Sequence, residues 1–345
     1  MQVREIDPND DAELTAWCAV QRASKEADWP DETPSTFRQM RAIANGGFGG
    51  KRFILHVVLD EAGRTVGCSM QGRPTRDNLR RIELEVHVDP AHRRLGAGRA
   101  LVHHVEETGP LDGRTTVMAA VDEPLEGVSP GREFALALGY ESALPEIRRV
   151  LPLPVKLDFE RFDDLAAAAL PFAGGYRLVT WRDRCPDEFV PGMIELERTI
   201  ARDAPHGELD NEPPTWDEAR VRAGEATVAD MGLVTYNAGA VEISSGQLVA
   251  VTTIGISSET PDAAEQFATT VAHEHRGHRL GLLVKIANVK AIVEHSPRTR
   301  KISTWNAETN LHMSRVNDEL GFRATSRGAV WQKHLPSDGT PPPAP

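Results

Sequence analysis

The sequence predicts an α/β (α+β) chain made of two copies of one fold, in tandem. Three observations carry that prediction. A strand–turn–helix pattern occurs twice, as V-H-V-D-P-A-H-R-R-L-G-A-G-R-A-L-V over residues 86–102 and T-V-A-H-E-H-R-G-H-R-L-G-L-L-V-K over residues 270–285. Val88, Arg93 and Gly98 map onto Val271, Arg276 and Gly281 at one constant offset. The order of apolar runs, helical stripes and turn signals around the first copy recurs around the second. At 345 residues the chain has room for two ordinary domains.

In the first copy, residues 3–6 read as a strand and 11–25 as a helix, with Leu14, Trp17, Cys18 and Arg22 at helical spacing. Residues 53–59 and 64–71 flank the turn E-A-G-R and read as a hairpin. Residues 82–88 alternate apolar and polar and enter the glycine turn. The helix beyond it places Leu101, Val102 and Val105 on one face. Residues 115–121 form a strand, 133–138 a short helix stopped by Gly139, and 147–151 a strand. The second copy repeats the order. It has a strand at 176–180, a helix at 187–202, a hairpin of 233–243 and 247–256 around Ser244-Ser245-Gly246, and an entry strand at 267–272. A helix carrying Leu282, Leu283, Ile286, Val289 and Val293 follows, then a strand at 301–305, a helix at 311–320 stopped by Gly321, and a strand at 329–334. The division this implies is 1–154 and 176–335. A partly structured, Ala-rich linker covers 155–175, and a Pro-rich disordered tail covers 336–345.

Composition bounds the function. With 40% hydrophobic and 26% charged residues the chain reads as globular. No apolar stretch approaches the ~20 residues that cross a bilayer, and the first residues lack a signal-peptide core, so no membrane partner is expected. Cys18, Cys68 and Cys185 are too few and too far apart for a disulfide framework. They suit a cytoplasmic protein with buried thiols. A net charge of −12 argues against nucleic acid and favours a cationic partner. The oligomeric expectation is a monomer or homodimer.

A strand–turn–helix with bare backbone at the turn is a device for holding an anion, because the first amides of a helix have no internal partner. The spacing fits neither G-x-x-x-x-G-K-[ST] nor G-x-G-x-x-G. R-R-L-G-A-G, residues 93–98, resembles the R/Q-x-x-G-x-G/A signature of the GNAT superfamily of acyl-CoA-dependent N-acyltransferases. R-G-H-R-L-G, residues 276–281, resembles it less well, because Arg279 stands at the first glycine. The resemblance covers residues 1–335, and the architecture is similar to that of mycothiol synthase. It implies two tandem GNAT folds, each a mixed, mostly antiparallel twisted sheet flanked by helices.

What the resemblance implies for function is an acetyl-CoA-dependent transfer of an acetyl group to a primary amine of a small molecule. The alternatives are a non-catalytic acyl-CoA-binding protein and a protein lysine or N-terminal acetyltransferase. It assigns the cofactor to Val86, Val88, Arg93, Arg94, Gly96, Gly98 and Arg99 in the first copy. In the second it assigns Val271, Arg276, Gly277, His278, Arg279 and Gly281, with Asn306 and Asn310 from the segment W-N-A-E-T-N-L-H-M-S-R-V-N-D-E-L-G-F. Asn310 reads equally as a helix cap. Asn317 occupies the place of the usual acid Tyr, and Ala135 does so in the first copy. Glu83 and Glu85 are the candidate bases of the first copy; in the second, Gln266 stands in the place of Glu83 with the candidate Glu265 next to it. Glu83 and Glu85 read equally as a solvated strand face. Asp203, Glu208 and Asp210, in an acidic loop, are candidates for the ammonium or plain solvated surface. The histidines near the second turn lack metal-ligand spacing, so no metal is expected. The asparagines and the acidic loop point to the second copy as the catalytic one, so Gly281→Glu is expected to abolish activity and Gly98→Glu to spare it.

Overall fold

The computed structural model describes residues 1–153 and 159–336, so most of the tail lies outside the described residues. The first half runs β1 (Gln2–Glu5), α1 (Asp11–Asp28), α2 (Phe37–Gly46), β2 (Lys51–Leu59), β3 (Thr65–Pro74), β4 (Arg81–Val88), α3 (Ala97–Thr108), β5 (Thr116–Pro124), α4 (Pro130–Ala137) and β6 (Glu141–Pro152). A connecting helix α5 (Phe159–Ala169) follows. The second half runs β7 (Tyr176–Arg182), α6 (Val190–Asp203), α7 (Glu218–Asp230), β8 (Leu233–Glu242), β9 (Leu248–Ser257), β10 (Ala263–Val271), α8 (Leu280–His295), β11 (Lys301–Ala307), α9 (Leu311–Leu320) and β12 (Arg323–His334). Among the described residues no helix is long and apolar enough to cross a membrane.

The two sheets fuse into one, in the order β1-β2-β3-β4-β5-β12-β6-β11-β10-β9-β8-β7. The pairs β4–β5 and β10–β11 are parallel and all others antiparallel. The closing strands are exchanged. β12 from the second half pairs with β5, β6 from the first half pairs with β11, and the two pair with each other at the centre. An approximate twofold axis therefore runs between β12 and β6.

Local chemistry explains most elements. The Asp10 carboxylate caps α1 by accepting from the amides of Ala12 and Glu13, and Leu14, Trp17, Cys18 and Gln21 form its buried stripe. Thr36 and Gln39 close a capping box on α2. α8 is buried on nearly all sides, which the expected single apolar face does not convey. α5 lies against it and supplies Phe162 and Ala169 to the same core. The three cysteines are buried and free.

Candidate functional site

Each turn is built from two left-handed residues. In the first half they are Arg94 (φ 65°) and Gly96 (φ 96°); in the second they are Gly277 (φ 84°) and Arg279 (φ 57°). The glycine and the arginine have traded places, and the backbone path is the same. Arg279 at the expected glycine position thus costs about 1–2 kcal/mol of backbone strain and leaves the turn intact. The helices that follow start without a side-chain cap, at Gly96 and at Arg279. By contrast α1, α2, α4, α7 and α9 are each capped by Asp, Thr, Ser, Asp or Asn. The first amides of α3 and α8, like those of α6, therefore have no side-chain acceptor, and the macrodipole adds partial positive charge there.

The strands before and after each turn pair only briefly and then diverge. β4 and β5 stay paired as far as Leu84↔Ala119, and β10 and β11 as far as Glu265↔Ser303. Glu83 lies opposite Gly72 and Glu265 opposite Gly255, so Glu265, and not Gln266, is the counterpart of Glu83. A bulge in β10 between Gln266 and Thr269 inserts the residue that shifts the frame before Val271.

In the first half the divergence opens a cleft of about 450 Å³, walled by Val86, Val102, Ala119, Phe134, Ala135 and Leu138. A Cβ on Gly98 would sit 3.2 Å from the Phe134 ring, so α3 and α4 meet closely beside the turn. Arg94 and Arg99 are exposed and make no ion pair among the described residues. Arg93 does not have that freedom. Its Nη1 and Nη2 both donate to Asp28 at 2.8 Å, and its Nε donates to the Val88 carbonyl. It braces the turn against the end of α1.

The second half has the same frame, but its cleft is filled. Lys285 takes the place of Val102. It is fully buried, and its Nζ donates to Gln266 Oε1 at 3.1 Å and lies 5.2 Å from the Phe322 ring. Burial lowers its pKa to about 7. Asn317, where the first half has Ala135, is fully buried and its Nδ2 donates to Asn306 Oδ1 at 2.6 Å. The groove between α8 and α9 is bridged by α5: Arg161 Nη2 donates to the Glu319 carbonyl at 2.6 Å, and Lys290 pairs with Asp163. At the turn, His278 Nδ1 bonds the Phe172 carbonyl, Arg279 pairs with Glu319, and Arg276 pairs with Asp203 at 2.5 Å. Asn310 uses its Oδ1 to cap α9 through the Met313 amide.

The first cleft borders a larger cavity of about 890 Å³ walled by both halves, and the two share Lys25, Val86, His87 and Asp122 in their linings. Glu32, Glu83, Glu85, Asp122, Glu146 and Glu265 line it, against Lys25, Arg81, Arg148 and His87. Glu83 is ion-paired with Lys51 and Arg81. Burial alone would raise Glu85, but the hydrogen bond with His87 at 2.6 Å, the His87 and Lys25 charges and the Gln21 amide hold it at about 2. Asp122 behaves oppositely. Burial, with the Glu32 and Glu85 charges, outweighs Lys25 and Arg148 and pushes it up to about 7. Burial also pushes Glu146 and Glu265 up.

Four expectations change in this light. Asp203, Glu208 and Asp210 do not line the cavity; Asp203 is held by Arg276 and Arg202, and the loop contributes only Leu209. Asn317 is a buried amide tied to Asn306 and has no proton to give. Arg93 and Arg276 are turn braces, because their donors are already engaged. The open cleft belongs to the first half rather than the second. Glu83, Glu85 and Glu265 do converge on one cavity. Asp122, which no local motif marks, stands where cleft and cavity meet.

Residues 14–129 match the model of the Acetyltransferase (GNAT) family. No curated protein matches the chain. Among solved structures, a tandem GNAT protein from the clavulanic acid biosynthesis pathway, without acetyl-CoA, is 29% identical with a TM-score of 0.81, covering 99% of both chains. A GCN5-related N-acetyltransferase from Sphaerobacter thermophilus is 15% identical with a TM-score of 0.64, covering 99% of this chain and 98% of that one. A glucosamine N-acetyltransferase region of a fungal multi-domain β-N-acetylglucosaminidase is 14% identical with a TM-score of 0.63. It covers 96% of this chain and 38% of that one. The last two establish likeness of fold alone.

Proposed function

Because this chain is a tandem member of the GNAT acyltransferase superfamily, we propose that it moves an acetyl group from acetyl-CoA to a primary amine of a small cationic molecule, by direct transfer in a ternary complex. The observation that carries this reading is Asp122, which lines both an apolar cleft beside an uncapped helix and the acidic cavity next to it.

The first-half residues fit the cofactor. The uncapped amides at the start of α3, with Arg94 and Arg99, suit the pyrophosphate. Val86, Val102 and Ala135 suit the pantetheine arm. Acetyl-CoA, when bound, supplies an acyl thioester, a good electrophile with a fair leaving group. Asp122 accepts the proton of the acceptor ammonium, and a pKa near 7 lets it cycle between its two forms at neutral pH. Glu85 stays ionised and, with Glu32, attracts the cation toward the junction.

Calorimetric titration with acetyl-CoA, paired with thiol release over an amine panel, tests the reading. The parent should bind one equivalent. Gly98→Glu should lose binding, because the new carboxylate enters the anion turn against Phe134. Gly281→Glu should retain it. The reverse pattern would move the reaction to the second half, and no binding at all would end the acyltransfer reading.

A further inference from the structure

Three carboxylates in the shared cavity have no partner. Glu83 is matched by Lys51 and Arg81, Glu85 by His87, and Glu32 lies 3.7 Å from Lys25 and 3.8 Å from Arg148. Asp122, Glu146 and Glu265 make neither hydrogen bond nor ion pair among the described residues, although all three line the cavity. Lys25 and Arg148 exert their charge on Asp122 and Glu265 as well, yet both are already shared with Glu32.

The placement of the three is ordered. Gly328 on β12 is the register partner of Asp122 on β5 and of Glu146 on β6. The two carboxylates thus stand in one row on one face, about 10 Å apart at the backbone. The glycine between them keeps the gap open. A Cβ there would lie 2.9 Å from the Val121 carbonyl, 3.2 Å from Asp122 Oδ1 and 3.3 Å from the Trp305 ring. Glu265 reaches the same cavity from β10, its side chain exposed to the open space with other protein groups gathered around it. Asp122 and Glu146 are half-buried and Glu265 is exposed, so the cost here is like charges gathered around one space, which a cation laid among them relieves.

A single ammonium at Asp122 would leave Glu146 without countercharge, and Glu265 with only the Lys25 and Arg148 charges it shares with Glu32. We infer that the acceptor is an elongated molecule with more than one cationic group, laid along the cavity so that the amine to be acetylated meets Asp122 and the remaining charge meets Glu146 and Glu265. The inference rests on the acetyl-transfer reading above and narrows its substrate class. It also disfavours acceptors that bring a carboxylate of their own.

The test compares α,ω-diaminoalkanes from propane to octane, and a triamine, with the matching n-alkylamines as acceptors. With the parent, kcat/KM for the best diamine should exceed that for its monoamine by about tenfold to a hundredfold, the worth of one or two charge-assisted contacts. E146Q and E265Q should each reduce that ratio, and the double variant should bring it close to one. Unchanged acetyl-CoA binding would confirm that these variants are folded. A parent that takes monoamines as well as diamines, or a double variant that keeps the preference, overturns the inference and leaves acetyl transfer standing. If no amine turns over, calorimetry with the diamine decides: binding weakened in the double variant supports the inference, and absence of binding to the parent overturns it.

Discussion

Replacing Lys285 with Met asks whether the second cleft is permanently filled. Lys285 has one hydrogen bond, to Gln266, and burial moves its pKa from 10.5 to about 7. Between those two values the unfolded chain binds more protons than the folded one, so this group makes stability rise with pH across the window. At about 1.36 kcal/mol per unit, the penalty reaches roughly 5 kcal/mol below the folded pKa and vanishes above the unfolded one. Met fills a similar volume without the charge. It also leaves Gln266 Oε1 without its donor, at a cost of about 1–3 kcal/mol. K285M should therefore be more stable than the parent by roughly 1–3 kcal/mol near neutral pH. The gap should shrink as pH rises and change sign as the unfolded pKa is approached. Urea denaturation of both proteins across that pH range measures it. A gap that does not move with pH, or a parent that is the more stable at neutral pH, would show that the Lys285 charge is compensated, and the account of a filled cleft would fail.

Asp122→Asn should lower kcat/KM by about a hundredfold or more. The parent should show activity rising with pH through about 7, as Asp122 loses its proton, and the variant should lack that limb; pH–rate profiles decide. Because a carboxyl raised by burial costs stability once ionised, the same variant should melt no lower than the parent at mildly alkaline pH. Arg94→Ala and Arg99→Ala should each weaken acetyl-CoA binding several-fold, an effect that fades with added salt; Arg279→Ala should not, as its partner is Glu319. Gly328→Ala should cost about 1–3 kcal/mol in denaturation, since its Cβ meets the Val121 carbonyl.

The repeat and its turns were legible because they depend on local rules: alternation, helical stripes and a glycine-bearing bend. The second turn looked defective only because a glycine was sought at one position. The bend needs two left-handed residues, and Gly277 with Arg279 meets that need in the opposite order from Arg94 with Gly96. α2 was signalled by T-F-R-Q, a capping box not read as one. α7 gave little to read, with only Val221 and Thr227 buried. The exchange of β6 and β12 was out of reach, because it is decided by pairings between residues remote in sequence, such as Leu151↔Ile302 and Val117↔Lys333. It also explains why both strands run longer than expected: each has a partner along both edges. Asp122 was missed for a related reason. Its local context, V-D-E-P, is that of any strand end, and its character comes first from burial and then from Glu32 and Glu85, opposed by Lys25 and Arg148, on other elements.

The twofold relation between the halves bears on why one cleft is filled. Glu83 and Glu265 are counterparts, and both face the same cavity. On the acetyl-transfer reading proposed above, two open clefts would feed two acyl groups toward one acceptor space. On that reading, Lys285, Asn317 and α5 in the second half leave the first-half cleft as the route, and β9, β10 and β11 serve as wall of the shared cavity. The exchanged strands make this division of labour structural. Gly328, which keeps the gap between Asp122 and Glu146 clear, belongs to the second half and sits between strands of the first. A second half removed from the chain would take with it both the floor of the cavity and the strand that closes the first half's sheet, so the reaction assigned to the first half requires the whole molecule.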